Sequence, residues 1–187
     1  MKKVTLILTA FFLLAALKGY AQQIDKFAKK GQWEVGGAVG FTSMSLVDDG
    51  RTQKPSTNIY FMPSASYFVA DGFELGAIIE VTSIDVQQSD ATTDYTLYFV
   101  PAYNFNTKSM FYPYIQEQIG YGVTTSGDFT SRGLSWAFEG GVKANVVPHV
   151  NVKLGINYSL ITRNQSSDKY RKGWNSINAI VGFGVFF

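Results

Sequence analysis

Cysteine is absent from this chain, histidine occurs once, at His149, and charged residues make up only 16% of the 187 positions. Without cysteine the protein has no disulfide framework, no thiol nucleophile and no thiolate metal site. A single histidine leaves little basis for a zinc site or for histidine-based acid–base catalysis. Soluble domains carry about 25% charged residues, so the shortage of charge and the 16% aromatic content set this single-domain chain apart from them.

Long apolar runs are also missing, except at the N-terminus. Residues 4–17 read VTLILTAFFLLAAL, with two lysines before them and the small residues of Gly19-Tyr20-Ala21 shortly after. A basic start, a short apolar run and small residues at the cleavage position are typical of a secretory signal peptide. The run is shorter than the ~20 residues that a membrane-spanning helix needs. We therefore predict a signal peptide over residues 1–21 and export from the cytoplasm.

A basic surplus disappears once this segment is cleaved. The full chain has 16 basic and 14 acidic residues, and three of the lysines leave with residues 1–21, so the mature chain has 13 basic residues against 14 acidic ones. Nucleic-acid-binding proteins usually carry a clear basic excess. The charge balance therefore predicts no nucleic-acid partner.

Helical periodicity is lacking after residue 22, whereas alternation of apolar and polar residues is common and is interrupted by turn residues. Soluble strands have a typical length of about 5–6 residues, and a strand that crosses a bilayer at a tilt needs about 9–11. The strands predicted here reach that second length. We predict eight strands, at 32–43, 57–69, 73–86, 93–106, 110–124, 132–146, 149–163 and 174–187.

The predicted connections alternate between short and long. Tight turns at 69–72, 106–109 and 147–148 alternate with longer polar segments, at 44–56, 87–92, 125–131 and 164–173. Short turns at one rim and long loops at the other are typical of outer-membrane barrels. We predict a periplasmic N-terminal segment over 22–31 and a transmembrane barrel over 32–187, with both termini periplasmic.

The predicted strands have one apolar and one polar face. In the last strand Ile177, Val181 and Phe183 alternate with Asn178 and Gly182. Small and polar residues suit a narrow lumen, so we predict that the apolar faces point outward to lipid. Aromatic residues near the strand ends predict two interfacial rings: Trp33, Tyr67, Phe68, Phe73, Tyr103, Phe105, Phe111, Tyr112 and Phe187 at the periplasmic rim, and Phe41, Tyr60, Tyr95, Tyr121 and Tyr158 at the other.

The chain ends in IVGFGVFF, in which Gly182, Val185 and the terminal Phe187 form a glycine–apolar–aromatic pattern. With this ending, and with YPYIQEQIGYG at 112–122, the chain resembles the small eight-stranded outer-membrane β-barrels of the OmpA/OmpX-like superfamily. Ile180 departs from the terminal pattern, which usually has a polar residue there. The resemblance implies an all-β, antiparallel up-and-down transmembrane barrel in a Gram-negative outer membrane, a monomer among lipids and lipopolysaccharide. It also implies that the barrel-assembly machinery recognises the last strand through Gly182, Val185 and Phe187.

Charged residues on the inward faces should fill the lumen of such a barrel. An eight-stranded barrel is just wide enough inside for side chains, and buried charges without partners are strongly unfavourable. We therefore predict an ion network across a plugged lumen without a diffusion pore, and we favour it over an acid–base pair because no nucleophile accompanies it. Its predicted members are Glu34, Glu74, Glu80, Glu139, Lys143, Lys153 and Arg163.

Glu117 breaks the pattern, because by alternation it shares the outward face with Ile115 and Ile119. A carboxylate among lipid chains is unfavourable. Our first interpretation is a β-bulge that turns Glu117 inward. A neutral carboxyl group and a contact with another protein are the alternatives.

The loop at 164–173 is basic, with Lys169, Arg171 and Lys172 against one acidic residue. Basic side chains pair readily with phosphate, so these three, together with Arg163, are candidate contacts for lipopolysaccharide phosphates. A solvated loop without a ligand is the alternative.

We predict a structural or surface-interaction role through extracellular loops. A narrow small-solute channel is the first alternative. A lipid-modifying barrel enzyme is the second, and the lack of a histidine at the outer rim argues against it. A secreted lipocalin-like carrier, suggested by Gly31-Gln32-Trp33, is the third. No HExxH, GxSxG or P-loop motif occurs, and His149 lies in a predicted turn without a catalytic partner. We therefore predict no enzyme activity, no metal and no cofactor.

Overall fold

The computed structural model of the chain describes residues 27–44, 47–48, 51–52, 56–85, 92–164 and 173–187. Within these ranges no helix is long and apolar enough to cross a membrane. The same ranges contain ten strands, and their bounds are β1 Trp33–Met44, β2 Val47–Asp48, β3 Arg51–Thr52, β4 Ser56–Ala70, β5 Phe73–Asp85, β6 Thr92–Asn104, β7 Phe111–Ser126, β8 Phe129–Val147, β9 Val150–Thr162 and β10 Gly173–Phe186.

The eight long strands form one closed antiparallel barrel in the order β1-β10-β9-β8-β7-β6-β5-β4. Each strand pairs with its neighbours along the chain, and β1 pairs with β10 to close the sheet. Trp33 and Phe187 complete this seam, since each backbone N–H donates to the other's carbonyl at 2.9 and 3.0 Å. The predicted up-and-down barrel is confirmed, and all predicted strand ends lie within three residues of the observed ones. The two-residue strands β2 and β3, which pair with each other, were not predicted.

Turn residues explain where the strands end. β4 and β5 are joined at Asp71-Gly72, where Gly72 has a φ of +79°, a left-handed conformation that favours glycine. A Cβ on Gly72 would also lie 2.8 Å from the carbonyl oxygen of Asn104. We call the end of the barrel that contains this turn, Trp33 and Phe187 the terminal end, and the opposite end the loop end.

The outer surface of the barrel is apolar. Ile177 is 75% exposed, Ile156 65% and Phe183 60%, although each lies within a strand. Water would strongly disfavour such a continuous apolar surface, whereas lipid chains would not. Three residues predicted for the aromatic rings instead point into the barrel and are buried: Tyr60, Phe68 and Tyr112.

Candidate functional site in the barrel lumen

The first group of charged side chains inside the barrel is the Lys143 cluster, formed by Lys143, Glu34 and Glu74. Lys143 extends from β8 across the lumen, and its Nζ lies 2.9 Å from Glu34 Oε2 on β1 and 2.8 Å from Glu74 Oε1 on β5. Glu74 also accepts hydrogen bonds from Asn104 Nδ2 at 2.9 Å and Ser66 Oγ at 2.6 Å. One ammonium group therefore connects strands on different sides of the barrel.

A second ion pair, between Glu139 and Lys153, lies beside this cluster. Lys153 Nζ is 2.9 Å from Glu139 Oε1, and the side chain of Glu139 is 1% exposed. The hydroxyl of Tyr114 donates to the same oxygen. The amides of Gln116 and Gln118 donate to Oε2 at 3.2 and 3.1 Å. The carboxylate thus has donors on both oxygens, as a buried charge requires.

At the loop end lies the Arg163 cluster, which is centred on an arginine just beyond β9. Its Nε and Nη2 donate to the two oxygens of Asp94 at 2.7 and 2.9 Å. The remaining N–H groups donate to Thr96 Oγ1 at 2.6 Å, Ser135 Oγ at 3.0 Å and backbone carbonyls. The hydroxyl of Thr124 also donates to Asp94. This bidentate geometry is the one that a planar guanidinium group favours.

An apolar layer also fills part of the lumen. Tyr60 and Tyr98 are its largest members, and the hydroxyl of Tyr60 donates to the carbonyl of Ala179 at 2.7 Å. The interior is therefore not polar throughout, contrary to the prediction. Ile180, the departure from the terminal sequence pattern, faces inward and is buried in this layer. Its members are Ala38, Tyr60, Met62, Ile78, Tyr98, Val100 and Ile180.

The terminal end of the lumen is closed by Phe27, a residue in the segment before β1. Phe27 is 1% exposed, and its ring packs edge-on against Phe68, Tyr112 and Phe186 at centroid distances of 5.6, 4.9 and 4.9 Å. Lys143 Nζ lies 5.4 Å from the centre of the Phe27 ring. Phe27, in the predicted periplasmic segment 22–31, therefore plugs the barrel, a role that the sequence did not lead us to predict. The signal that could have indicated it is a phenylalanine within an otherwise largely polar segment.

Hydrogen bonds hold this plug segment to the first short turn. The N–H of Gly72 donates to the carbonyl of Ala28 at 2.8 Å, and the N–H of Lys30 donates to Asp71 Oδ1 at 2.9 Å. Lys29 Nζ lies 3.4 Å from Asp71 Oδ2. The Lys30 N–H, assisted by the Lys29 ammonium, holds the pKa of Asp71 below its ordinary value. The segment is thus fixed by both its backbone and its aromatic ring.

Of the seven residues predicted for the ion network, six have an opposite charge within 4 Å, and Glu80 does not in the described part of the chain. Glu80 instead accepts a hydrogen bond from Thr82 Oγ1 at 2.9 Å. The prediction omitted Asp94, the partner of Arg163. Strict alternation along β6 places Asp94 on the inward face with Thr96, so the signal was present in the sequence.

Inward glycines make room for the large side chains of the lumen. A Cβ on Gly122 would collide with Arg163 Nη2, and one on Gly155 would collide with the hydroxyl oxygen of Tyr114. Small residues opposite large ones are expected in narrow barrels. Between the filled layers a cavity of about 50 Å³ remains, lined in part by Glu34, Glu74 and Lys143. Such a volume accommodates only a few water molecules.

The terminal assembly residues lie on β10 and at the end of the chain. Gly182 faces inward against Ala38, whereas Val185 and Phe187 face outward and are 39% and 66% exposed.

The basic residues Lys169, Arg171 and Lys172 lie outside the described residues. Arg163, which the sequence groups with them as a phosphate contact, is 4% exposed and bound to Asp94, so that part of the prediction is wrong.

Glu117 faces outward, and the predicted bulge is wrong. The pairing of β7 with β8 runs without a register shift from Phe111 to Ser126, with Glu117 opposite Phe138. A bulge does occur in β8, but near its end, between Asn145 and Val147. Glu117 Oε1 accepts a hydrogen bond from Trp136 Nε1 at 2.7 Å on the outer surface.

The fold, its apolar exterior and its filled interior define a membrane-spanning β-barrel. The chain belongs to the outer membrane protein beta-barrel domain family, whose model matches residues 7–185. No curated protein matches the chain significantly. The lipocalin alternative is wrong, because a lipocalin has an apolar cavity and a wetted exterior.

Solved structures show the same fold at low sequence identity. The Neisserial surface protein A is 19% identical with a TM-score of 0.61, and the match covers 84% of this chain and 98% of that one. The N-terminal β-barrel domain of Pseudomonas aeruginosa OprF is 14% identical with a TM-score of 0.53, covering 84% and 98%. The outer membrane protein OprG of the same species is 15% identical with a TM-score of 0.51, covering 85% and 97%.

Proposed function

We propose that the mature protein is an integral outer-membrane barrel with a sealed lumen, and that it acts as a structural or surface-interaction protein through its extracellular loops. The observation that carries this proposal is the succession of filled layers: the Phe27 plug, the Lys143 cluster, the apolar layer and the Arg163 cluster. A channel would need a continuous water path through all four. The termini are periplasmic in this proposal, as the short turns beside them favour.

Conductance in planar lipid bilayers tests the proposal, with the purified full-length barrel as the sample. We expect no stable unitary currents. Phe27→Ala should also stay silent, because the Arg163 cluster at the other end is untouched by this change. Frequent, stable openings of the unaltered protein would instead support the narrow small-solute channel, and the sealed-lumen proposal would then be abandoned.

A surface role also rests on the basic loop. Lys169, Arg171 and Lys172 supply positive charge where lipopolysaccharide phosphates lie in an outer membrane. Reversal of all three charges to glutamate should reduce lipopolysaccharide co-purification and increase the permeability of the outer membrane to apolar antibiotics. Reversal of Lys108, an exposed lysine in the turn between β6 and β7 that the proposal places in the periplasm, is the control. Unchanged lipid association after the triple reversal would rule out this contact.

A further inference from the structure

An apolar groove, which we call the outer groove, crosses the outer surface of the barrel from β5 to β8. Its volume is about 400 Å³, enough for a length of acyl chain. Between its two walls lie Tyr98 and Gly120, which pair with each other and face inward. Two rows of outward side chains form the walls: Ala77, Phe99 and Ile119 on the terminal side, and Leu97, Tyr121 and Leu134 on the loop side.

A single basic residue lies beside this groove. Arg132 is two residues from Leu134 toward the loop end, on the same outward face of β8, and it is exposed. On the described barrel strands it is the only lysine or arginine that faces outward, since Lys143 and Lys153 point into the lumen. No carboxylate lies within 4 Å of Arg132 in the described part of the chain. Its guanidinium group is therefore available to an anionic ligand.

Two phenol groups lie close to Arg132. Tyr95 of β6 and Arg132 of β8 both pair with Val123 of β7, one from each side. Tyr121 is two residues from Val123 on the same face, so it is a diagonal neighbour of both, within reach of long side chains. The two tyrosines are 54% and 55% exposed. One guanidinium group and two hydroxyl groups thus present hydrogen-bond donors on a small area of the outer surface.

This area lies at the border of the apolar belt. The outward residues of β8 are apolar from Val142 to Leu134, and the next two, Arg132 and Thr130, are polar. A strand tilted as in such barrels rises about 2.5 Å per residue along the membrane normal. Ten residues separate Arg132 from Val142, which gives about 25 Å along the normal, the height of the apolar belt in such barrels. The guanidinium group therefore lies where the phosphate groups of a lipid layer begin.

We propose that the outer groove, with Arg132 at its loop-side border, binds the lipid A part of lipopolysaccharide. One acyl chain lies in the groove. A phosphate group of the same molecule accepts hydrogen bonds from the Arg132 guanidinium group, whose planar geometry suits phosphate, and from the nearby phenol groups. This inference deepens the proposed surface role, and it rests on the orientation that places the loop end outside.

Lipid A is the occupant because the site combines an apolar groove with a cation at its border. A free anion would bind Arg132 without using the groove, and a neutral acyl chain would fill the groove without using Arg132. In the proposed orientation the loop side of the groove opens into the outer leaflet, where lipid A carries both phosphate groups and acyl chains. A phospholipid is the competing occupant, and the experiment below distinguishes the two.

Lipid retention by the purified full-length barrel tests the proposal. The barrel is titrated in detergent micelles with lipid A, with lipid A stripped of its phosphates, and with phosphatidylglycerol, and bound lipid is counted by native mass spectrometry. We expect lipid A to bind roughly tenfold more tightly than the stripped form, the effect of one charged hydrogen bond. Equal retention of these two forms, or tighter retention of phosphatidylglycerol than of lipid A, would overturn the proposal.

Two pairs of variants test the cation and the groove separately, each shown to be folded by its shift in gel mobility on boiling. Arg132→Gln should weaken lipid A retention roughly tenfold and remove the preference for the phosphorylated form, whereas Lys108→Gln, in an exposed turn at the terminal end, should change neither. Ala77→Phe should weaken retention of both forms by narrowing the groove. The same change at Ala179, on the outer face of β10, should not. A folded Arg132→Gln variant that binds lipid A normally would refute the site.

These results are separable from those for the basic loop. Loss of retention in Arg132→Gln, with no effect of reversing Lys169, Arg171 and Lys172, would support this site and rule out the loop contact. The opposite pattern would rule out this site and leave the loop contact in place. Stable conductance would remove the sealed-lumen proposal without changing either result.

Discussion

The Lys143 cluster and the Arg163 cluster both bury charge in the lumen, but they balance it in different ways. Lys143 is a compact ammonium that holds two carboxylates from β1 and β5. The planar guanidinium group of Arg163 binds one carboxylate, Asp94, and its other N–H groups donate hydrogen bonds to hydroxyls and backbone carbonyls. The first arrangement places two carboxyl groups against one ammonium, whereas the second places one carboxyl group against one guanidinium. We therefore expect the loss of Lys143 to destabilise the barrel more than the loss of Arg163 does.

The largest expected effect comes from removal of the two cations. Lys143→Met should lower the free energy of unfolding by about 5 kcal/mol and Arg163→Met by about 3 kcal/mol, the range for breaking buried ion pairs. The first change leaves both Glu34 and Glu74 without a cation, although Glu74 keeps its hydrogen bonds from Asn104 and Ser66. The second leaves only Asp94 without one, with its bonds from Thr96 and Thr124. Urea unfolding in lipid vesicles, followed by tryptophan fluorescence, measures both.

Two further variants control this comparison. Lys108→Met changes a lysine in an exposed turn and should alter stability by no more than about 0.5 kcal/mol. Lys143→Met combined with Glu34→Gln and Glu74→Gln should recover most of the loss, because the isolated charges are then removed. An equal loss for Lys143→Met and Arg163→Met would contradict the difference between the clusters.

Geometry rather than charge is tested by Arg163→Lys. An ammonium group at position 163 can pair with Asp94 but cannot also reach Ser135 and the Thr162 carbonyl in the directions of the guanidinium fork. We expect a loss of about 1–3 kcal/mol in the free energy of unfolding, the range for buried groups left without a partner. A variant as stable as the unaltered protein would show that the fork geometry is dispensable.

A smaller effect is expected for Tyr114→Phe, which removes one donor to Glu139. Lys153, Gln116 and Gln118 still contact that carboxylate, so the loss should be about 1–2 kcal/mol. The same unfolding measurement applies, with Tyr158→Phe on the outer surface as the control. A loss as large as that of Lys143→Met would mean that Tyr114, and not the ammonium groups, organises the terminal end.

The smallest effect is expected at Asp71, whose contacts are exposed. Its folded-state pKa is lowered by the Lys30 N–H and then by Lys29, so its contribution is present above the unfolded value of about 3.9 and is lost as the pH falls through the folded value. The protection factor of the Lys30 amide, its exchange rate relative to an unfolded peptide at the same pH, should therefore fall at acidic pH, and in Asp71→Asn it should be low at every pH. Unchanged protection in Asp71→Asn would show that Phe27 alone holds the plug.

Much of the barrel followed from local patterns. Alternation and turn residues located all eight barrel strands, because side chains on a strand alternate faces irrespective of the rest of the chain. The same rule placed Lys143 and Glu34 inside. Proximity to the strand ends was a poorer guide, since Tyr60, Phe68 and Tyr112 resemble interfacial residues in sequence and yet lie in the lumen. Gly40 leaves room for the Tyr60 ring, and Phe27 packs against Phe68 and Tyr112.

Glu117 illustrates the limit more sharply. Alternation implies its outward position, and the bulge is the interpretation that keeps a carboxylate away from lipid chains. The observed register shows that the backbone pairing is kept and that the indole of Trp136 accommodates the carboxyl group instead. Whether an outward carboxyl group finds a hydrogen-bond donor depends on its neighbour on the adjacent strand. That neighbour is set by the pairing register, which the sequence of one strand does not encode.

By itself the sequence determined strand number, strand facing and the apolar exterior, because these depend on composition and on a period of two residues. Which charges meet, that Asp94 is the partner of Arg163, and that Phe27 closes the terminal end were decided only by the closed barrel. Closure brings residues from strands far apart in the chain, such as Glu34 and Lys143, within hydrogen-bonding distance, and no local pattern contains that distance.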